Sequence, residues 1–396
     1  MREAVIVEAV RTPVGKRNGK LKNTHPVELL GHVLNALIDR TGVDPELVDD
    51  VIGGCVDQVN EQAINITRNA WLSAGLPDSV PATTIDRQCG SSQQAAHFAA
   101  QGVMSGAYDI AIACGVESMT RVPMLANIGQ ANPFGEKMLA RYEGKLVPQG
   151  ISAEIIGGRW GITREMCDEI ALASHMRAQA ATESGKFADE IAPIKVTLDD
   201  GSVEEFATDE GIRPGSSMET LAKLNPAFLN PELEKVFPEI KWVVTAANSS
   251  QISDGASALL VMTPEKAKDL GLTPRWRFHT FALAGTDPIT MLTGPIPSTQ
   301  KALAKSGLTA DQIDHYEVNE AFATVVGAWQ KEIGVELDRV NPRGGAIALG
   351  HPLGGSGGRL MTTMLHALEQ NGQRFGLQTM CEGGGLANAT IIERLG

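Results

Sequence analysis

What this 396-residue chain lacks narrows its function first. It carries no CxxC pair and no HExxH motif, so neither a structural zinc site nor a zincin-type centre is indicated. Its five cysteines, Cys55, Cys89, Cys114, Cys167 and Cys381, are odd in number and scattered. That pattern gives no disulfide framework, and free thiols fit a reducing, cytoplasmic compartment. Basic residues are in the minority: 34 Lys and Arg against 47 Asp and Glu leave a net charge of −13. Such a balance argues against a general nucleic-acid binder or a protein held on anionic membranes. An anionic ligand would need a local basic patch. No uninterrupted apolar run approaches the roughly 18 residues of a membrane span. The opening stretch Met1 to Glu8 has acids inside its apolar run and reads as a first strand, not a signal peptide. The glycine run Gly350 to Gly358 lacks the Gly-Lys-Ser/Thr ending of a P-loop. It also lacks a GxGxxG after a first strand, so a nucleotide-binding oxidoreductase rests on very little.

What is present suits an α/β enzyme. The chain is 43% hydrophobic, has 42 glycines and is long enough for two or three domains. It also looks duplicated. Gly42-Val43-Asp44-Pro45-Glu46-Leu47 resembles Gly307-Leu308-Thr309-Ala310-Asp311-Gln312, and Ala111 to Gly115 is echoed by Gln378 to Glu382 at nearly the same spacing. Helical patterns precede both pairs: Glu28 to Arg40 and Ser298 to Lys305 before the first, Ser92 to Met104 and Ser356 to Leu368 before the second. Each half therefore reads as strand, helix, strand, helix, strand, which predicts mostly parallel sheets with covering helices. Between them lies a proline-dotted region with one good helix, Thr163 to Gly185. The expected division is 1–120 plus 244–270 as an N-terminal half, 121–243 as an insertion that builds a binding site, and 271–396 as a C-terminal half.

Three residues sit in glycine frames that suit chemistry. Cys89 lies in Asp86-Arg87-Gln88-Cys89-Gly90-Ser91-Ser92, where a strand (Pro81 to Ile85) gives way to a helix. A helix N-terminus favours thiolate, the nucleophilic form of cysteine. Most free cysteines are inert core residues, the role expected of Cys55, Cys114 and Cys167. His351 lies in Gly350-His351-Pro352-Leu353-Gly354-Gly355-Ser356-Gly357, either as a base or as a turn histidine bonding its own backbone. Cys381 precedes Gly383-Gly384-Gly385, glycines that imply unusual φ or close approach; a bare β-turn is the alternative. Asn319 ends a strand and, read alone, would equally be a helix N-cap.

Taken together, Val318-Asn319-Glu320-Ala321-Phe322, Gly350-His351-Pro352 and Cys381-Glu382-Gly383-Gly384-Gly385, in that order, resemble the thiolases from end to end, beginning at Arg11-Thr12-Pro13-Val14-Gly15-Lys16. The resemblance implies an α/β fold of five αβαβα layers built from two duplicated halves, with an inserted loop domain, assembled as a homodimer or homotetramer. It implies that Cys89 is the acylated nucleophile, His351 its base and Cys381 the acid/base at the α-carbon. His351 with a water held by Asn319 would form one oxyanion hole; the N–H groups of Cys89 and Gly383 would form the second. Coenzyme A and acyl-CoA would be substrates, with no bound cofactor and no metal. Arg213, Thr220, Leu224, Phe228, Ser250, Ala321, Phe322 and Gln149 would line the CoA and acyl sites. Short-chain biosynthetic thiolases usually carry His-Met-Gly where this chain has Pro148-Gln149-Gly150, which shifts the expectation toward a degradative 3-ketoacyl-CoA thiolase. The segments around both cysteines are most similar to actinobacterial thiolases of steroid or other bulky acyl-CoA breakdown. A biosynthetic acetoacetyl-CoA thiolase and a non-catalytic acyl-CoA-binding relative remain the alternatives. A ketoacyl synthase of the same superfamily would use Cys-His-His, whereas the third position here is Cys381. Glu382, next to Cys381 in a strand, is expected to point to the opposite face.

Overall fold

A computed structural model describes residues 2–396. The first half runs β1 (Val5–Arg11), β2 (Gly15–Lys16), α1 (Pro26–Thr41), β3 (Asp50–Gly54), α2 (Ile66–Ser73), β4 (Ala82–Ile85), α3 (Ser91–Ser105) and β5 (Ile110–Ser118). A long excursion follows: α4 (Gly135–Arg141), α5 (Gln149–Arg159), α6 (Arg164–Glu183), β6 (Ile194–Thr197), β7 (Val203–Phe206), α7 (Met218–Ala222) and α8 (Pro231–Glu234). The chain returns through β8 (Ser253–Met262) and α9 (Pro264–Asp269). The second half runs β9 (Trp276–Gly285), α10 (Pro295–Ser306), β10 (His315–Val318), α11 (Ala323–Ile333), α12 (Ala346–Leu349), α13 (Ser356–Gln370), β11 (Phe375–Glu382) and β12 (Leu386–Arg394).

The duplication is visible in local chemistry. In both halves a left-handed glycine stops a helix, Gly42 (φ 65°) after α1 and Gly307 (φ 74°) after α10. A polar cap two residues on, Asp44 or Thr309, then starts one turn of 3-10 helix that feeds the next strand, β3 or β10. The strands line up in the order β10-β11-β12-β9-β1-β8-β5-β3-β4. Only two residue pairs, Val5 with Arg277 and Ile6 with Trp276, link β1 to β9. The array is thus two sheets joined at a narrow seam. The expectation of mostly parallel sheets is corrected: β3–β4, β3–β5 and β10–β11 are parallel, but the long returning strands β8 and β12 pair antiparallel with both of their neighbours. β8 enters from the excursion and β12 from a tight turn after β11, so neither arrives through a crossover helix.

Five layers result, with α3 and α13 in the middle. Alanines 95, 96, 99 and 100 of α3 let Met361, Met364, Leu365 and Leu368 of α13 approach closely in one buried cluster. Each such aliphatic side chain, fully buried, contributes about 1.5–3 kcal/mol. Glycine permits the closest contact: a Cβ on Gly357 would collide with the backbone N of Gln93. The excursion holds more helix than expected. Thr163 caps α6 as predicted, its side chain accepting from Met166 N. α5, however, was not foreseen, because Gly150, Gly157 and Gly158 weaken its propensity. Packing supplies what propensity lacks, since all residues from Gly150 to Gly157 are buried.

Candidate active site

Cys89 follows a strained turn. Gln88 has φ 49°, a left-handed backbone held by Asp86 Oδ1, which accepts from Gln88 N at 2.6 Å. Ser91 Oγ donates to Gln88 O at 2.6 Å and accepts from Arg87 N at 2.9 Å. These bonds aim Cys89 inward, into a cluster with Val56, Met119, Leu353, Leu360 and Met380. The sequence predicts thiolate here, and the structure corrects that. Burial pushes the Cys89 thiol up to about 12, with Glu382 and then Glu117 adding to the effect; the Gln149 amide pulls weakly the other way. At rest Cys89 is therefore a thiol.

His351 is placed by two backbone bonds, its N donating to Gln251 O at 3.3 Å and Ser253 Oγ at 3.2 Å. Its ring does not bond its own backbone. Nδ1 lies 2.6 Å from Ser356 Oγ, and that hydroxyl gives its single proton to Pro352 O at 2.7 Å. Ser356 can therefore only accept from the ring, which places the proton on Nδ1 and leaves Nε2 unprotonated, an acceptor for Asn319 Nδ2. Burial, followed by Arg359, lowers the imidazole to about 3, so it rests neutral. Asn319 Nδ2 stands 3.4 Å from Nε2. Once Nε2 takes a proton, these are two N–H donors converging on one oxygen position.

Asn319 is not a helix cap: α11 is preceded by Phe322, with no side-chain cap bond. Its backbone N donates to Thr379 O at 3.1 Å, and its Oδ1 is unpartnered. The next residue, Glu320, clamps the region. Its carboxylate accepts from Ser174 Oγ at 2.7 Å, Asn341 Nδ2 at 2.9 Å and Ile347 N at 3.1 Å, tying β10 to α6 and α12.

Cys381 faces Met291, Leu292, Ala321 and Phe322. Burial, then Cys89 and Glu382, push its thiol well above its ordinary value. After it, Gly384 (φ 82°) and Gly385 (φ 84°) make the turn into β12, while a Cβ on Gly383 would come 2.9 Å from Gln88 Oε1 and 3.3 Å from Gln149 Nε2. Gly383 is therefore a close-approach glycine beside the Cys89 turn. Glu382 does lie across the strand from Cys381, but its carboxyl reaches the backbone of the Cys89 turn at Gly90.

The excursion brings some of its expected residues in and leaves others exposed. A Cβ on Gly150 would collide with the Phe228 ring, and Phe228 stands edge-on to Phe322 at 6.1 Å and 70°. Ser250 N donates to Ala321 O at 2.9 Å. Gln149, Phe228, Ser250, Ala321 and Phe322 thus group beside the thiols. Arg213, Thr220 and Leu224 are exposed. Thr220 closes a capping box with Ser217 at the start of α7. Two cavities, about 140 Å³ beside Phe187 and Asp209 and about 240 Å³ between α6 and α11, are not lined by either thiol or by His351.

Sequence reasoning missed Ser356, although it lies in the same glycine frame as His351. It also missed Glu117, whose carboxyl accepts from Val56 N, Asp57 N, Gln62 Nε2 and Gly354 N at 2.6–3.2 Å and so ties the His351 loop to β5. A lone acid near the end of the apolar strand Ile110–Ser118 was the available signal.

Fold and site together define an acyltransferase class: duplicated αβαβα layers that bring buried thiols from both halves close to each other, with a neutral imidazole in the loop that covers Cys89. Family models for the N-terminal and C-terminal domains of thiolase match residues 4–265 and 272–394. A steroid 3-ketoacyl-CoA thiolase, FadA6, of Mycobacterium tuberculosis is 49% identical, over 100% of this chain and 95% of that protein. A 3-ketoacyl-CoA thiolase of Pseudoalteromonas translucida is 45% identical over the full length of both. The crystal structure of the Bacillus anthracis acetyl-CoA acetyltransferase superposes with a TM-score of 0.89 at 38% identity, covering 100% of this chain and 99% of that one. The chain belongs to the thiolase family.

Proposed function

We propose that this protein is a degradative 3-ketoacyl-CoA thiolase, cleaving its substrate with CoA to acetyl-CoA and a shortened acyl-CoA. The observation that carries the mechanism is the fixed tautomer of His351, whose unprotonated Nε2, accepting only a long 3.4 Å bond from Asn319 Nδ2, can take a proton. Cys89 gives its proton to Nε2 as its sulfur attacks the 3-keto carbon. The new imidazolium with a water held by Asn319, and the backbone N–H groups of Cys89 and Gly383, then stabilise the developing oxyanions, each such donor contributing about 3 kcal/mol. The C2–C3 bond breaks, the acyl group stays on Cys89, and the acetyl-CoA enolate leaves. The Cys381 thiol protonates C2. Its thiolate takes the proton of an incoming CoA, whose sulfur attacks the acyl-cysteine; the released Cys89 recovers its proton from His351. The neutral resting state of all three groups fits this sequence, because no step begins from a preformed ion pair. A covalent intermediate between two substrates implies ping-pong kinetics.

The shared likeness to a steroid thiolase and Gln149 near the Cys89 turn support a bulky acyl chain. Arg213, Thr220 and Leu224, exposed on the excursion, would meet the nucleotide end of CoA, and Phe228 and Ser250 its pantetheine arm. Residues 121–243 would then act as the CoA-binding domain between halves at 1–120 plus 244–270 and at 271–396. Five unpaired thiols fit a cytoplasmic protein, and family membership supports a homodimer or homotetramer. Loss of the 3-ketoacyl-CoA enolate absorbance on adding CoA is the test, with acetoacetyl-CoA compared against a ring-bearing substrate. Cys89→Ala should lower CoA-dependent cleavage by at least about a thousandfold. Equal rates for wild type and variant would refute the assignment.

A further inference from the structure

Glu382 is an acid with nowhere to place its charge. It is fully buried, and no side chain hydrogen-bonds either carboxyl oxygen; only the Asn388 main-chain N–H lies close enough to favour its charge. Its side chain is aimed by the strand that carries it. Cys381 faces the apolar cluster of Met291 and Phe322, so the alternation of β11 turns Glu382 toward α3. There a Cβ on Gly90 would collide with its Oε1. Gly90 follows the nucleophile and precedes the first turn of α3. The carboxyl therefore presses on the backbone of the Cys89 turn, while its own main chain joins Cys381 to Gly383.

The charged and titratable groups around it come from both sides. Arg87 and Asp86 face it from the turn after β4, together with Cys89; Cys381 lies on its own strand. From α3 and β12 the neighbours are neutral, Gln94 and Asn388, bonded to each other at 3.2 Å. Burial dominates and holds the acid up to about 8; Arg87, which does not hydrogen-bond it, and then the Asn388 backbone N–H favour the carboxylate. A carboxylate this close to a second developing anion, inside a dry core, disfavours that anion strongly.

We propose that Glu382 is a proton-gated positioning residue for the Cys89 nucleophile: while it keeps its proton the thiol can ionise, and once it becomes a carboxylate its charge holds the thiol neutral. This rests on reading Cys89 as the nucleophile, but its test does not require turnover. The acid would be carried through the working range in neutral form, and catalysis would weaken as it ionises at alkaline pH.

The experiment is the rate of iodoacetamide alkylation of Cys89, read by peptide mass spectrometry, between about pH 6 and about pH 10. In the wild type the rise with pH should slacken near about pH 8, where the carboxyl loses its proton, and resume above it. Glu382→Gln should remove that inflection and alkylate about tenfold faster than wild type at about pH 9, the two converging toward about pH 6. Parallel profiles, or a slower variant throughout, would overturn the proposal. Arg87→Gln, at a half-exposed site tolerant of change, gives an independent arm should Glu382→Gln fail to fold. Loss of the cation should move the inflection to higher pH, and an unmoved inflection would also overturn it. Because alkylation is read without substrate, a failed thiolysis assay leaves this outcome separately decidable.

Discussion

At the scale of single residues, the protonation pattern matters more than the identity of the reacting groups. Ser356 is the residue that sets the tautomer of His351, the proposed base. Its hydroxyl has one proton, already given to Pro352 O, so the ring must offer Nδ1–H and turn its lone pair to the site. Ser356→Ala removes the acceptor and frees the other tautomer. We expect kcat to fall by up to about a hundredfold, the lower end of a general base's contribution, with little change in KM. Ser356→Thr, which keeps the hydroxyl, should recover most of the loss, and steady-state kinetics on the three proteins checks both statements. Cys89, His351 and Cys381 were legible in the sequence because glycine frames surround each of them. Their ionisation was not. The helix N-terminus at Cys89 argued for thiolate, whereas burial and the carboxyls of Glu382 and Glu117 come from segments far away in sequence.

At the scale of elements, the central pair α3 and α13 sets the distance between the two halves. Gly357 stands against the Gln93 backbone, where no flexible side chain can move aside. Gly357→Ala should therefore destabilise the fold by about 1–3 kcal/mol, the usual range for overpacking. Denaturant melts would register it as a lower midpoint with an unchanged slope. These two helices, like α1, α6 and α10, could be anticipated from periodicity and from capping residues such as Thr163, because such signals are local. α5 could not, because its glycines are chosen for contact with Phe228 and the Glu239 backbone. Strand direction was also beyond the pattern. The alternation of helices and strands suggested crossovers, and nothing in β8 or β12 themselves announces that each returns antiparallel.

At the scale of the whole molecule, one buried cluster fastens the excursion to the core. Arg11 of β1 is fully buried and bonds Glu190 at 2.6 Å and Asp209 at 2.8 and 3.0 Å, with its guanidinium 5.2 Å from the Phe187 ring centre. Burial opposes its charge, but Asp209 and Glu190 outweigh burial and raise its pKa. Arg11→Met would leave two buried acids without a cation, a change that typically destabilises by about 3–5 kcal/mol. We expect faster limited proteolysis within 121–243 and a lower melting temperature, with Arg11→Lys a poor substitute because it cannot bond two carboxylates in one plane. The narrow seam between the sheets carries a different consequence. Only two residue pairs join β1 to β9, yet Cys89 belongs to one half while His351, Cys381 and Asn319 belong to the other. The molecule is in effect a two-piece complex on a single thread. Neither piece alone holds a complete set of these groups, and Cys89 is covered by Leu353, Leu360 and Met380 of the second half, so only the assembled molecule both completes the site and buries its thiol.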